Sequence, residues 1–169
     1  MMVPRNVRAV RETVLIVGEG YADYQFLRHI RSLYTSNQQG SQMTVGNARG
    51  KGAANVVDYA VRLARQASYD RVGALLDTDT DWTPAVQRKA RSARITTLPS
   101  VPCIECWLLE VVGQHKQCDT EEHKYRFKQT FGGDAHQDGL IAGIFKKDVL
   151  DAARPRVAVL DKLLLLLKV

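Results

Sequence analysis

Acidic side chains follow two apolar runs of the sequence, at the points where the runs end. The first run, residues 14–18, ends at Glu19. The second run, residues 72–76, ends in three aspartates: Asp77, Asp79 and Asp81. Short apolar runs of this kind are typical of buried strands in a parallel sheet, and the carboxyl ends of such strands form the binding edge of an open α/β sheet. Because carboxylate oxygens are the ligands that Mg²⁺ takes, the pattern predicts a magnesium site at that edge.

A single acid after a strand would carry little information, because Asp and Glu are common in turns. Two separate strands that both deliver acids are more specific. Clustered carboxylates without a counter-charge repel one another and resist ionisation. A bound cation removes that cost, so a cation is the simplest explanation of the pattern.

The elements that must position these acids alternate along the first hundred residues. Strands are predicted at 14–19, 43–45, 72–77 and 95–98, and helices at 22–34, 53–66, 84–93 and 103–112. This order predicts a parallel sheet of about four strands with helices on both faces, a three-layer α/β/α fold. The last third is predicted to be helical, with segments near 119–131 and 141–153 and a final helix after the break at Arg154-Pro155. We therefore expect one domain over residues 1–169.

Composition bears on the cellular compartment of the protein and on the kind of partner that it binds. The chain has 169 residues, a formal net charge of +6 and a pI near 9.4. Such a charge either favours a polyanionic partner or only serves solubility, and composition alone does not separate the two. No secretory h-region and no membrane-length apolar run is visible, and three cysteines fit a reducing compartment. We expect a cytoplasmic protein without a membrane partner.

A glycine-rich basic segment, residues 46–52, precedes the second predicted helix. It resembles a damaged phosphate loop, because only three residues separate Gly46 from the Gly50-Lys51 pair and Gly52 stands where a metal-binding Ser or Thr would be. ATP hydrolysis is therefore not expected. Arg49 and Lys51 could still contact one phosphate. An ordinary strand-to-helix turn explains the segment equally well.

Three other motifs suggest known binding sites, but each lacks the residues or the spacing that the site requires. The DTDTD run lacks the glycine and glutamate of an EF-hand loop, because Trp82 and Arg88 occupy those positions. The segment Gly18-x-Gly20 lacks the third glycine of a dinucleotide site, since Asp23 stands there. Cys103 and Cys106, with further Cys and His residues downstream, match no standard zinc spacing, so buried thiols that pack as small hydrophobes are favoured over zinc.

Taken together, the motifs resemble the TOPRIM domain, whose signature is Glu-Gly after the first strand and DxD after a later one. Here these are Glu19-Gly20 and Asp77-x-Asp79. The chain is more closely similar to the RloB-like branch of TOPRIM-like proteins from bacterial defence and restriction loci. The segment 14–20, VLIVGEG, resembles the "ILIVCEG" of that branch, and 100–109, SVPCIECWLL, resembles its "SNPCFEXWLL". The likeness covers residues 13–112.

The resemblance implies a TOPRIM-like Rossmannoid fold with Mg²⁺ or Mn²⁺ held by Asp77 and Asp79. Glu19 would complete the metal site or move a proton. Three further acids have open roles: Asp23 could replace the second acid of the branch, Asp81 could be a spare ligand or a helix cap, and Glu105 could be a ligand or anchor its loop. Arg49 and Lys51 would contact nucleic acid.

The function implied by the resemblance is a metal-dependent nuclease, or nuclease-like effector, that acts on DNA or RNA, with tRNA as one candidate, in anti-phage defence. An ABC- or AAA-type ATPase encoded nearby is the expected partner. The alternative is a non-catalytic regulatory or scaffold subunit with the same fold. The leucine-rich end, residues 160–167, could form a docking or homodimer surface, but packing against the sheet is favoured.

Overall fold

The computed structural model describes residues 10–38 and 40–169, so predictions for residues 1–9 and for Gln39 lie outside the described residues. A four-stranded sheet forms the centre of the protein. Its strands are β1 (Thr13–Gly18), β2 (Gln42–Asn47), β3 (Arg71–Asp77) and β4 (Ile95–Ser100). Their order is β2-β1-β3-β4, and all three pairings are parallel. The predicted α/β class, the number of strands and their parallel direction are confirmed.

Eight helices are present among the described residues. They are α1 (Tyr21–Tyr34), α2 (Gly52–Gln66), α3 (Pro84–Ser92), α4 (Ile104–Val111), α5 (Thr120–Phe131), α6 (Leu140–Ile144), α7 (Lys147–Ala153) and α8 (Ala158–Leu166). None of the helices in the described part of the chain is both long and apolar enough to cross a membrane.

The sheet is covered on both faces because alternate side chains of its strands point in opposite directions. Leu15 and Val17 of β1 belong to a buried cluster with the apolar stripe of α2 and with Ala90 of α3. Val14 and Ile16 belong to a larger cluster with α1 and the C-terminal helices. The result is a three-layer α/β/α arrangement in which β1 is almost completely buried.

The predicted helix over residues 141–153 is wrong, because the chain forms two helices, α6 and α7, with a break at Phe145 and Lys146. The backbone of Phe145 leaves the helical region at φ −88° and ψ 71°. Its carbonyl oxygen accepts a hydrogen bond from the Nε2 atom of His29 in α1 at 2.6 Å. A contact with another helix therefore replaces the bond that would have continued α6, which local periodicity does not reveal.

Two predicted strands were also too short. β2 continues through Gly46 and Asn47, which the sequence placed in the glycine loop, and β4 continues through Pro99 and Ser100, which it placed in a turn. Pro99 is tolerated because β4 lies at the edge of the sheet, with β3 as its one neighbour in the described sheet.

The leucine-rich end packs inside the protein, which was the favoured interpretation. The leucines that α8 and its C-terminus bury are Leu160, Leu163, Leu164, Leu166 and Leu167. Leu166 lies over Gly73 of β3, where a Cβ would come within 2.7 Å of its Cδ2 atom. Leu165 is the exception, with 60% of its surface exposed. Because most of its leucines are buried in the core, the segment offers little apolar surface to a partner.

Candidate functional site

Glu19 and Asp77 meet at the carboxyl edge of the sheet because β1 and β3 are neighbouring parallel strands. The backbone N–H of Glu19 donates to the carbonyl of Leu75 at 3.1 Å, which continues the pairing by one residue. In return, the Oε2 atom of Glu19 accepts the backbone N–H of Asp77 at 2.8 Å. The two acids that the sequence predicted from separate strands therefore lie side by side.

Asp23 joins this pair from the first turn of α1. Its Oδ2 atom accepts the backbone N–H of Gly20 at 3.0 Å, and only 3% of the residue is exposed. Its Oδ1 atom is buried and has no hydrogen-bond partner among the described residues. α1 can approach this closely because Gly18 has no side chain, since a Cβ there would lie 2.8 Å from the Cβ of Asp23. Asp23 thus presents an unsatisfied buried oxygen at the site.

Glu105 reaches the same place from the first turn of α4. The residue is 8% exposed, and the backbone N–H of its neighbour Ile104 donates to the Oδ1 atom of Asp77 at 3.1 Å. Trp107 of the same helix is buried and donates from Nε1 to the Oγ atom of Ser100 at 2.9 Å, so its role is packing. The N-terminus of α4 is therefore docked against the end of β3.

Burial, with the charges of neighbouring acids, raises the pKa values of three acids of the cluster, Glu19, Asp23 and Asp77. Burial, together with the charges of Asp23 and Glu19, raises the pKa of Asp77 from 3.8 to about 9. Burial also raises the pKa of Asp23 to about 7, and the charges of Glu19 and Glu105 add to that rise. Burial raises the pKa of Glu19, although the hydrogen bond from the N–H of Asp77 opposes the change. The cluster holds more negative charge than its surroundings can stabilise.

A cavity of about 410 Å³ opens over these acids. Its near wall includes Glu19, Asp77 and the backbone of Gly50, and its far wall comes from α5 and the loop after it. The polar residues of that far wall are Lys124, Asp134 and His136. Sequence analysis missed all three, because no motif accompanies them and only the packing of α5 against α4 brings them near.

Asp79 is exposed and stands apart from the buried acids. Its Oδ2 atom accepts a hydrogen bond from the hydroxyl of Thr120 at 2.7 Å, and its Oδ1 atom accepts one from Thr80 at 3.1 Å. Asp79 still raises the pKa of Asp77 by its charge, which places it within electrostatic range. Its expected part in holding a metal stays a prediction.

The sequence left two roles open for Asp81, a spare metal ligand or a helix cap, and in the structure Asp81 caps a helix. Both of its carboxylate oxygens accept backbone N–H groups of the first turn of α2, from Ala53 and Ala54. Gly52 is required beside it, because its φ is +83° and a Cβ there would lie 2.5 Å from the Oδ1 atom of Asp81. The carboxylate stabilises a helix N-terminus, and the helix is α2 rather than the one that follows Asp81 in sequence.

The loop between β2 and α2 turns sharply around the end of β1. Arg49, Gly50, Lys51 and Gly52 all have positive φ, and the N–H of Gly50 donates to the carbonyl of Glu19 at 2.6 Å. The side chains of Arg49 and Lys51 are exposed, and within the part of the chain that the structure describes neither forms a hydrogen bond or an ion pair. They flank Gly50, which lines the acidic cavity, and their contact with a phosphate stays a prediction.

The donor chemistry of the cluster fits a hard divalent cation. All of its acids offer carboxylate oxygens, and one buried oxygen of Asp23 has no partner among the described residues. Burial and mutual repulsion raise the pKa values of Asp23 and Asp77, and a bound positive charge would offset both causes. In residues 10–38 and 40–169, no three His, Cys, Asp or Glu side chains stand in an arrangement ready to hold a metal ion. Coordination would therefore need side-chain rearrangement.

The cysteines behave as the sequence indicated. Cys103 and Cys106 are buried free thiols, and burial raises the pKa of Cys103 well above its usual range. Cys118 lies 3.4 Å from the Nδ1 atom of His123.

Comparison with known proteins gives one match. A model of the family described as RloB-like protein matches residues 14–146, which is most of the chain. The match begins at β1 and continues through α5 and α6, so it includes both walls of the acidic cavity. Neither the curated proteins nor the solved structures contain a match to the chain.

Proposed function

We propose that this chain, which belongs to the RloB-like protein family, is a metal-dependent nuclease or nuclease-like effector of bacterial anti-phage defence. It would cleave phosphodiester bonds of DNA or RNA in the cytoplasm, together with an ATPase partner. The observation that carries the proposal is the carboxylate cluster at the edge of the sheet, where burial raises the pKa values of Glu19, Asp23 and Asp77 and the charges of neighbouring acids add to the rise. An excess of negative charge in a cavity is best explained by a cation that binds there.

Asp77, Asp79 and Glu19 would hold Mg²⁺ or Mn²⁺. When bound, such a metal neutralises the phosphate and stabilises the negative charge that develops as the phosphodiester bond breaks. Asp77 is already oriented by the N–H of Ile104, and Glu19 by the N–H of Asp77, so each side chain has one oxygen fixed by the backbone. This fixation limits the side-chain freedom that would be lost on binding.

Glu19 is suited to moving a proton. Its pKa is raised by burial, which brings the titration of the carboxyl closer to neutral pH, where general acids and bases work best. It lines the cavity that would receive the phosphate. Glu19 would therefore accept a proton from, or donate one to, an oxygen of the reacting phosphodiester.

Cationic side chains surround the acids and would bind the phosphate backbone. Lys124 lies in the far wall of the cavity, and the exposed residues Arg49 and Lys51 flank Gly50 of the near wall. The net charge of +6 has the sign that a polyanionic substrate requires.

The test is cleavage of plasmid DNA, single-stranded DNA and total tRNA with Mg²⁺ or Mn²⁺. Wild type would be compared with Asp77→Ala and with Asp58→Ala, which changes an exposed aspartate of α2 that is ion-paired with Lys89. We expect metal-dependent cleavage that Asp77→Ala abolishes and Asp58→Ala preserves. Cleavage that persists in Asp77→Ala would refute the assignment.

A non-catalytic subunit is a second candidate function because the proposed metal ligands do not lie together in a ready coordination site. Asp79 is engaged with Thr120, and the described residues contain no ready metal site. In that case Asp77→Ala would leave the biological activity intact, and the wild-type chain would cleave none of the three substrates with either metal. Co-purification of an ATPase would then identify the complex in which the chain acts.

A further inference from the structure

A second cavity, larger than the acidic one, opens beside the candidate site. Its volume is about 670 Å³, and it lies between the end of β4 and the segment that joins α4 to α5. Lys124 lines both cavities, and Asp79 lines the larger one. Lys124 therefore joins the two cavities along one cleft, and the function proposed above uses only Asp79 from the larger cavity.

The walls of the larger cavity differ in chemistry. Val101 and Pro102 form an apolar wall, and Val101 is 68% exposed, so its side chain is accessible to a ligand. The opposite wall carries side chains that donate or accept hydrogen bonds, among them His115, Gln117 and Thr120. A ligand that fits has a flat apolar face and a polar edge, and a nucleobase has both.

Charge argues for a base rather than a phosphate in this cavity. Asp79, Asp119 and Glu121 face it together with Lys116 and Lys124, so it is not a cationic pocket. Carboxylates repel a phosphate but accept hydrogen bonds from the amino groups of bases. Lys124, at the junction of the two cavities, is the cation placed to meet the phosphate that joins a seated base to the acidic site.

We propose that the larger cavity binds one unpaired nucleotide of the strand whose phosphodiester lies at the acidic site. The proposal rests on the nuclease function proposed above and names its substrate class: single-stranded or looped nucleic acid. A base within a duplex is stacked on both faces and paired along its edge, so it offers neither surface to the cavity. A volume of about 670 Å³ suits one nucleotide, because ligand sites of small molecules span roughly 300–1,000 Å³.

Binding of fluorescent oligonucleotides to the full-length chain in EDTA tests the proposal without any cleavage. The probes share one sequence as a single strand, a hairpin loop and a blunt duplex, each as DNA and as RNA. The variants are Val101→Ser and Gln117→Ala, and Gln114→Ala is the matched control, because Gln114 is exposed in the same segment but does not line the cavity. All three positions are exposed, so the variants should fold.

We expect the single strand and the loop to bind about tenfold more tightly than the duplex, a ratio in keeping with one stacked base. Val101→Ser and Gln117→Ala should each remove most of that preference and leave duplex binding unchanged, while Gln114→Ala should keep the preference. Equal affinity for duplex and single strand, or equal weakening of both by the cavity variants, would overturn the proposal.

This binding experiment and the cleavage assay described under the proposed function together separate the two proposals. A preference for single strands without any metal-dependent cleavage would retain the nucleotide site and remove the nuclease function. Metal-dependent cleavage without a preference for single strands would retain the nuclease function and remove the nucleotide site.

Discussion

Replacement of Asp77 by Asn should make the protein more stable at alkaline pH and insensitive to Mg²⁺. Asn has nearly the same shape, and its amide oxygen can still accept the N–H of Ile104. It carries no charge, and it removes a group whose pKa is raised further than that of Asp23. The expected gain comes first from no longer burying a charged carboxylate and then from relieved repulsion with Asp23 and Glu19, rather than from a new contact.

The magnitude follows from proton linkage. The pKa of Asp77 is raised from 3.8 to about 9, so between these values the folded state keeps a proton that the unfolded state has lost. The stability that this proton contributes is fully present below about pH 4 and is lost as pH rises toward 9, by up to about 1.4 kcal/mol per pH unit. From pH 6 to pH 8 the wild type should therefore lose about 2–3 kcal/mol relative to Asp77→Asn, or about 5–10 °C in Tm.

Thermal unfolding monitored by circular dichroism from pH 5.5 to 8.5, with and without Mg²⁺, would measure both effects. Mg²⁺ at a hundred times its Kd should stabilise the wild type by about 2.7 kcal/mol, and Asp77→Asn should show no such rise. Asp58→Asn is the matched control, because that acid belongs to an exposed ion pair with Lys89. The reasoning is refuted if Asp77→Asn follows the wild-type pH profile, or if it retains the response to Mg²⁺.

Three further substitutions test how neighbouring elements hold the site. Asp81→Ala removes the carboxylate that accepts two N–H groups of α2, and it should lower the free energy of unfolding in urea by about 1 kcal/mol. Trp107→Phe removes the indole N–H that donates a hydrogen bond to the buried hydroxyl of Ser100, and it should lower the free energy of unfolding in urea by about 1–3 kcal/mol. Gly18→Ala forces a Cβ against Asp23, and it should cost about 1–3 kcal/mol and reduce the Mg²⁺-induced rise in Tm.

Two of these substitutions have matched controls. Asp81→Asn keeps an acceptor oxygen and should recover most of the stability that Asp81→Ala loses. Gly143→Ala is the control for Gly18→Ala, because nothing lies within 4 Å of a Cβ at that glycine and its stability should change by less than about 1 kcal/mol. If Gly18→Ala left both Tm and its response to Mg²⁺ unchanged, the close packing of α1 on β1 would not be what positions Asp23.

The sheet and the pair formed by Glu19 and Asp77 could be predicted from the sequence because both depend on short-range patterns. Apolar runs that are buried on both faces mark β1 and β3, and two adjacent parallel strands must end at the same edge. These inferences need the order of the elements and no knowledge of packing. The sequence left the role of Asp23 open, and the structure places it beside Glu19 and Asp77 through the close approach of α1 at Gly18.

The partners of individual carboxylates could not be predicted in this way. Asp81 follows β3 but caps α2, a contact 28 residues away in sequence, and spacing cannot show which helix start an acid will meet. Asp79 bonds to Thr120, 41 residues away, for the same reason. The break between α6 and α7 depends on His29, which lies 116 residues from the carbonyl it contacts. Each of these features is set by tertiary packing of segments that are remote in sequence.

The C-terminal third therefore completes the site rather than extending the domain. The ends of β1 and β3 and the first turns of α1 and α4 supply the acids, but an edge cluster of this kind would be an open, solvated surface without a further wall. α5 supplies that wall, and it is held against α4 in part by Phe127, which is fully buried in the same core as Trp107. Because Lys124 lies three residues before Phe127, the packing that buries one residue also sets the place of the other over the acids. The family match, which runs past α5 to residue 146, includes both walls, as expected if the cleft between them is the functional unit.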